Sequence, residues 1–459
     1  MAHAKLIERD WPRFGPAAPA AAPRFQLTDF ETRIAALRAE ALKRGLTHIV
    51  AYGDREHYAN LAYLTNLDPR FEEALLVLRP EGKPLLLTGN ECEGYLPISP
   101  LWKAGELRHE RYQPFSLLDQ PRDSSRPLAH IFHEEGIGPG ASVGAVGWKY
   151  YGDPHAMDLP SYIVDTLRSL AGFETVTDAT DLLMSPSYGL RAQCSAAEIA
   201  LFEYTNVKAS EAMRRIHFAL RPGMTDHELL AEAHYDGLPL ACHITLKTGP
   251  DRIGLSSPNG AVVSRGYPWS ANISYWGSNV CRAGWVAESA ADLPERARDY
   301  VEAFAAPYFS AMAAWLDALR IGQSGGALYA LIQSRLPFEK YGIFLNPGHL
   351  IHLDEWLSSP IFAGSNLPIR SGMVLQSDVI PSSPPYFSTR MEDGFAVADS
   401  ALRSELRANH SDCYARIEQR RRFIESVLNI PLPDEVLPLS NMACLVPPFL
   451  LRPNLVFAM

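Results

Sequence analysis

The first third of the chain alternates short apolar runs with amphipathic segments. The runs that predict strands are HIVAYG (48–53), ALLVL (74–78), PLLLTG (84–89) and SVGAVGW (142–148). Residues 27–45 have helical spacing, and we expect Thr28 or Asp29 to cap this helix and Gly45 to end it. Because strands alternate with helices, the pattern predicts an α/β domain over residues 25–190.

The pattern changes at residue 195, where long helices begin. Ser195 and Glu198 form a capping box, and the helix that they open has no Pro or Gly before it ends near Leu220. Thr225 and Glu228 form a second capping box. Strand-like runs separated by turn residues then continue to about residue 399, with helices predicted at 295–335 and 403–427.

These patterns divide the chain into four parts. An Ala- and Pro-rich arm covers residues 1–24, the α/β domain covers 25–190, and a larger α+β domain covers 191–430. A tail follows at 431–459. It is rich in proline and apolar residues, so we predict that it packs along a surface of the protein.

Composition narrows the function classes. The 459 residues have a formal net charge of -10 and no long stretch rich in Lys and Arg, which argues against nucleic acid and anionic membranes as partners. The six scattered cysteines form no CxxC pair, so we expect reduced thiols and neither a disulfide framework nor a zinc site. We find neither a secretory signal pattern nor an 18-residue apolar stretch, and we expect a cytoplasmic protein.

Five motifs in order resemble those of the creatinase/aminopeptidase P/prolidase superfamily. They are YGDREHYANLAYLTNLDPRFEEALLVL (52–78), LRPGMTDHEL (220–229), GHLIHLDEW (348–356), RSGMVLQSDVIP (370–381) and STRMEDGFAV (388–397). The resemblance covers roughly residues 30–400. It implies an α/β N-terminal domain followed by an α+β pita-bread domain, in which helices wrap a curved antiparallel sheet.

Metal-dependent members of this family hold two divalent ions with two Asp, one His and two Glu. The resemblance places these positions on Asn272, Asn279, His349, Asp378 and Glu392. Both aspartates are therefore asparagines here, and two negative charges are missing from the set. A neutral amide cannot offset the charge of two cations, so we expect no metal cofactor. A single divalent ion on His349, Asp378 and Glu392 is the alternative.

Creatinase is the precedent for a metal-free member of this family. It hydrolyses a C–N bond by acid/base chemistry, and an arginine from the partner's N-terminal domain binds the substrate carboxylate. Arg70 matches that arginine, which implies a homodimer whose N-terminal domain completes the partner's site. The position of creatinase's catalytic histidine falls on Ser256 or Ser257, so the base must be another group.

The resemblance thus gives a set of candidate residues. His349 is the expected acid/base group, and Glu392 and Asp378 are expected to orient it or to bind a cationic part of the substrate. The residues predicted to bind substrate are Asn272, Asn279, Arg70, His352 and Tyr267. Because His349 and His352 are three apart in a predicted strand, we expect only one of them to face the site.

We therefore predict a metal-independent, creatinase-like hydrolase that cleaves a non-peptide C–N bond in a small polar carboxylated molecule. Two alternatives stay open. One is a single-metal Xaa-Pro-type aminopeptidase or dipeptidase. The other is a non-catalytic protein that uses the pita-bread cleft to bind a ligand.

Overall fold

The computed structural model describes residues 4–120, 125–250 and 256–459. Sixteen strands lie in this part of the chain: β1 Lys5–Glu8, β2 His48–Gly53, β3 Ala74–Leu78, β4 Leu85–Thr88, β5 Arg108–Arg111, β6 Val143–Val146, β7 Val176–Asp178, β8 Thr245–Thr248, β9 Pro268–Tyr275, β10 Ser278–Trp285, β11 His349–Leu350, β12 Val374–Gln376, β13 Arg390–Glu392, β14 Gly394–Val397, β15 Val436–Pro438 and β16 Leu455–Ala458. All four strands predicted in the first third are therefore confirmed.

The same residues form thirteen α-helices. They are α1 Leu27–Lys43, α2 Ala59–Thr65, α3 Pro100–Lys103, α4 Leu128–Glu134, α5 Ser161–Ala171, α6 Asp181–Met184, α7 Ala196–Ala219, α8 Asp226–Ala231, α9 Ala306–Ala318, α10 Gly325–Arg335, α11 Phe338–Tyr341, α12 Ser400–Asn409 and α13 Ser411–Ser426. A π-helix over Val301–Ala305 runs directly into α9. Short 3₁₀ turns occur at Cys92–Ile98, Gln113–Phe115, Leu190–Ala192, Ala290–Asp292 and Glu295–Ala297.

The helix boundaries test the capping predictions. Both predicted capping boxes are present, at Ser195 before α7 and at Thr225 before α8. The cap predicted for α1 is wrong: Gln26 is the N-cap, and Asp29 completes its capping box from the third helical position. The predicted helix at 403–427 is two helices, because the chain leaves helical geometry at His410.

The chain divides into two compact units, Arg24–Ala192 and Met1–Pro23 with Gln193–Met459. The smaller unit contains a six-stranded mixed sheet in the order β5-β4-β3-β2-β6-β7. Alternate residues of β2, β3 and β4 share one apolar cluster with Ile131 of α4 and Ile163 of α5. The inward-facing side chains of the strands and of the two helices thus pack into one core, as expected where strands and helices alternate along the chain.

The larger unit contains two four-stranded antiparallel sheets, in the orders β13-β10-β9-β8 and β11-β12-β14-β15. The predicted surface position of the tail is wrong, because residues 436–450 are almost wholly buried and β15 is a strand of the second sheet. The last strand, β16, pairs antiparallel with β1. Trp11 of the arm is also buried, and its Nε1 donates to Pro453 O. Burial is the expected result for a segment so rich in apolar residues.

Among the described residues, no helix is long and apolar enough to cross a membrane.

Candidate functional site

Strand register places four candidate groups on one face of the sheet β13-β10-β9-β8. Cys281 of β10 lies opposite Asn272 of β9 on one side and opposite Glu392 of β13 on the other. Asn279 precedes Cys281 by two residues, and side chains two apart in a strand point to the same face. Asn272, Asn279 and Glu392 are all buried there.

His349 joins these groups from the second sheet. It is fully buried in β11, where it pairs with Gln376 of β12. Its Nδ1 lies 3.1 Å from the carbonyl oxygen of Leu350, so Nδ1–H donates to that oxygen. Nε2 is therefore the ring nitrogen that can exchange a proton with other groups. Nε2 lies 3.3 Å from Glu355 Oε1 and 3.8 Å from Asp378 Oδ2. The Trp356 ring stacks on the imidazole, with centroids 4.1 Å apart.

The two asparagines hold other members of the site. Asn279 Nδ2 donates to Glu392 Oε1 at 2.7 Å and to Glu355 Oε1 at 3.4 Å. Asn272 Nδ2 lies 3.5 Å from Asn279 Oδ1, and its own Oδ1 accepts from Thr245 Oγ1. Both amides are therefore engaged by protein groups. These contacts suit a positioning role, and direct binding of substrate by the two asparagines stays a prediction.

Burial and charge shift the proton affinities of this set. Burial raises the pKa of Asp378 to about 6, although the His349 charge opposes the rise. Burial, with the charge of Asp378, raises the pKa of Glu392 well above its usual value. For His349, burial lowers the pKa, but the carboxylates of Glu355 and Asp378 outweigh burial and the net shift is upward. Burial disfavours the Glu355 carboxylate, yet the His349 charge lowers its pKa overall.

A second cation lies in the same cluster. The Arg390 side chain is buried on β13, and its Nη1 lies 3.3 Å from Cys281 Sγ. Burial disfavours its charge, but Cys281, Glu392 and Asp378 together raise the pKa of the guanidinium. The cluster therefore holds the Arg390 cation and an ionised Glu355, beside a His349 whose pKa is raised and a Glu392 that favours its proton.

Three predicted substrate residues lie elsewhere. His352 Nε2 faces Glu198 Oε1 at 3.3 Å and so belongs to a different cluster. Tyr267 precedes β9, five residues from Asn272, which is about 16 Å along an extended strand. Neither side chain is thus placed in the His349 cluster, and their roles in substrate binding stay predictions. Arg70 belongs to the smaller unit, where its Nη2 lies 2.8 Å from Tyr95 Oη, and its role toward a partner stays a prediction.

Sequence reasoning missed Glu355. It lies in the irregular segment after β11, where no strand periodicity indicates which side chains turn inward. Its side chain is 21% exposed, so the cluster meets solvent on its side. The one available signal is an acidic residue six positions after His349, within a motif already selected for its histidine.

The donor set fits one metal ion better than two. The donor atoms of His349, Glu355 and Glu392 lie within 4.8 Å of one another, a suitable grouping for one transition metal. The alternative ligand set predicted from the sequence had Asp378 where Glu355 now stands. A second ion would need the two asparagines as ligands, but their amides are engaged within the protein.

Solved structures with a similar fold give the context for this site. Dipeptidase PepE from Mycobacterium ulcerans is 21% identical, with a TM-score of 0.60 over 82% of this chain and 95% of that chain. The prolidase from Pyrococcus horikoshii OT3 is 13% identical, with a TM-score of 0.62 over 80% and 95%. The Xaa-Pro dipeptidase from Bacillus anthracis is 14% identical, with a TM-score of 0.60 over 81% and 96%.

No protein-family model and no curated protein sequence matches the chain. At the identities of the structural matches, the likeness concerns the fold. The chain therefore has the fold of these dipeptidase and prolidase structures, which agrees with the fold expected from the motifs in its sequence.

Proposed function

We propose that the protein is a hydrolase that cleaves a non-peptide C–N bond in a small polar, carboxylated substrate by acid/base chemistry at His349. One observation carries the proposal: the site supplies its own positive charge. Arg390 is a buried cation beside the carboxylates, the pKa of Glu392 is raised well above its usual value, and a proton taken up by His349 is stabilised by Glu355 and Asp378. A buried cluster whose charges are already paired does not require a dication.

The tautomer of His349 fixes the path of the proton. In the neutral form of His349, Nδ1–H donates to Leu350 O, so Nε2 accepts a proton from water as the water oxygen bonds to the substrate carbon. The resulting imidazolium is stabilised by the Glu355 carboxylate, 3.3 Å away. Nε2 then returns the proton to the leaving nitrogen as the C–N bond breaks.

The remaining groups support that step. Glu392 in its neutral form donates a hydrogen bond to the negative charge that develops on the substrate. Asn279 orients Glu392 and Glu355 through its amide NH₂. We further propose a homodimer in the cytoplasm, in which Arg70 of the partner subunit binds the substrate carboxylate, as the family resemblance implies.

A second candidate is a single-metal Xaa-Pro-type peptidase. It is favoured by the grouping of His349, Glu355 and Glu392 and by the peptidases among the structural neighbours. In that case these three residues would hold one divalent ion, which would polarise the substrate carbonyl and lower the pKa of a bound water. Glu355 would then be a ligand in place of the predicted Asp378.

The test combines metal analysis with a substrate panel. Full-length protein is assayed against Xaa-Pro dipeptides and against N-carbamoyl and amidino derivatives of amino acids, with and without a chelator. We expect turnover of a non-peptide C–N substrate that the chelator leaves unchanged. His349→Gln and Glu392→Gln should each lower kcat by about 10²- to 10⁴-fold. The exposed His227→Gln is the matched control.

The other outcomes separate the alternatives. Stoichiometric metal, lost together with Xaa-Pro hydrolysis on chelation, would replace the proposal with the single-metal peptidase. Ligand binding without turnover across the panel would support a non-catalytic protein.

A further inference from the structure

A second cluster of potential metal ligands lies in the larger unit. Cys194, Glu198 and His352 are all buried, and their donor atoms lie within 4.8 Å of one another. The three come from two distant stretches of sequence, so no ligand spacing along the chain predicts them. The sequence-based expectation of simple reduced thiols does not anticipate this arrangement.

The start of α7 fixes two of the three side chains. Cys194 directly precedes the N-cap, and its backbone N–H donates to Gly372 O at 2.7 Å. Glu198 completes the capping box, in which its Oε2 accepts from Ser195 N at 2.8 Å and from Ser195 Oγ at 3.0 Å. Its other oxygen, Oε1, therefore turns toward His352. Ligating carboxylates and histidines are typically held in this way by hydrogen bonds at their remaining atoms.

The spacing between donors suits a shared zinc ion. His352 Nε2 and Glu198 Oε1 are 3.3 Å apart. Zinc bonds of about 2.0–2.1 Å at a tetrahedral angle separate two such ligands by about 3.3 Å. A direct charge-assisted hydrogen bond between the same groups would be shorter, at about 2.7–2.9 Å.

Charge and ligand chemistry point to the same ion. One thiolate and one carboxylate neutralise a divalent cation, so the complex carries no net charge in a buried position. A sulfur, a nitrogen and an oxygen donor favour zinc over magnesium or calcium, which prefer oxygen ligands alone. The Phe202 ring meets His352 edge-on at 5.0 Å and limits access of water from that side.

We propose that Cys194, Glu198 and His352 bind one Zn²⁺ ion, with a water molecule as the fourth ligand. The ion connects the start of α7 to the segment that follows β11. That segment carries Glu355, and His349 lies three residues before His352. The zinc therefore holds the segment that bears Glu355, directly after the strand that bears His349.

The test uses the full-length chain, stripped of metal and reloaded with one equivalent of Co²⁺. A thiolate ligand gives cobalt a charge-transfer absorption band in the near ultraviolet. We expect this band in the wild type, its loss in Cys194→Ser, and its retention in Cys242→Ser. Cys242 is the matched control because its Sγ lies 3.5 Å from Asn272 Nδ2, beside the His349 cluster.

Zinc affinity gives a second readout. Cys194→Ser should weaken Zn²⁺ binding by at least about 10- to 100-fold. Zn²⁺ should also raise the Tm of the wild type but not that of this variant. A Tm of the metal-free variant equal to that of the metal-free wild type shows that the variant folds. A wild type without the cobalt band, or a band that survives Cys194→Ser, would overturn the proposal.

Discussion

The pair formed by Glu355 and His349 gives a prediction about pH. At an Nε2–Oε1 separation of 3.3 Å, two unit charges attract by about 5 kcal/mol at an effective dielectric constant of about 20. Desolvation offsets much of this attraction, and breaking such a buried pair costs about 3–5 kcal/mol. Since Glu355→Gln keeps the shape and an acceptor for Asn279, we expect a loss of about 3 kcal/mol of unfolding free energy at pH 6.

The pKa shifts of His349 and Glu355 determine how the cost of Glu355→Gln changes with pH. The pKa of His349 is raised in the folded state, so its contribution to stability is complete below the unfolded value near 6.5 and disappears as pH rises through the folded value. The pKa of Glu355 is lowered, so its contribution is lost only as pH falls through its folded value. The cost of Glu355→Gln should therefore fall from about 3 kcal/mol at pH 6 to about 1 kcal/mol at pH 9, where a neutral hydrogen bond remains.

Two measurements check this prediction. Urea denaturation of wild type and variant at pH 6 and pH 9 gives the difference in unfolding free energy. NMR of ¹³C-labelled histidine, assigned with His349→Gln, should show a lower titration midpoint for His349 in the variant. The exposed Glu302→Gln should change stability by less than about 0.5 kcal/mol at both pH values. Equal costs of Glu355→Gln at both pH values, with an unmoved midpoint, would refute the reasoning.

Two further predictions concern a buried ion pair and the close packing around a glycine. Arg282→Met should lower the unfolding free energy by about 3–5 kcal/mol in urea denaturation, because it leaves the buried Asp393, now 2.7 Å from Arg282 Nη2, without its partner. Arg282→Lys should cost less, and a loss below 1 kcal/mol for Met would contradict the argument. Gly277→Ala should cost at least about 2 kcal/mol more than Gly322→Ala, because both have positive φ but only the first would place Cβ against Phe202. Equal Tm shifts for the two variants would rule this out.

Much of the fold follows from local patterns that tertiary contacts do not override. The strands β2 and β3 coincide with their apolar runs, and the capping boxes at Ser195 and Thr225 are where the sequence predicts them. The prediction failed where the decisive interaction is not local. The tail reads as surface because of its prolines, yet β15 is completed by a pairing with β14 that no local pattern reveals.

The same distinction applies to the site. Asn279 and Glu392 could be assigned to one site from the sequence because the family resemblance implies it, and the strand register of the structure places them on the same face. Strand parity also argues against Tyr267, since an odd separation from Asn272 turns the two side chains to opposite faces. Glu355 could not be predicted, because an irregular segment has no period from which the direction of a side chain can be derived.

The presence of asparagine rather than aspartate at position 279 has a direct physical consequence. Asn279 Nδ2 lies 2.7 Å from Glu392 Oε1. A carboxylate oxygen in that place would face an ionised Glu392 with a repulsion of about 6 kcal/mol at an effective dielectric constant of about 20. Only a bound cation or a shared proton would offset it. The amide turns this contact into a hydrogen bond, so that Glu392 and position 279 can lie 2.7 Å apart without a bound cation or a shared proton between them.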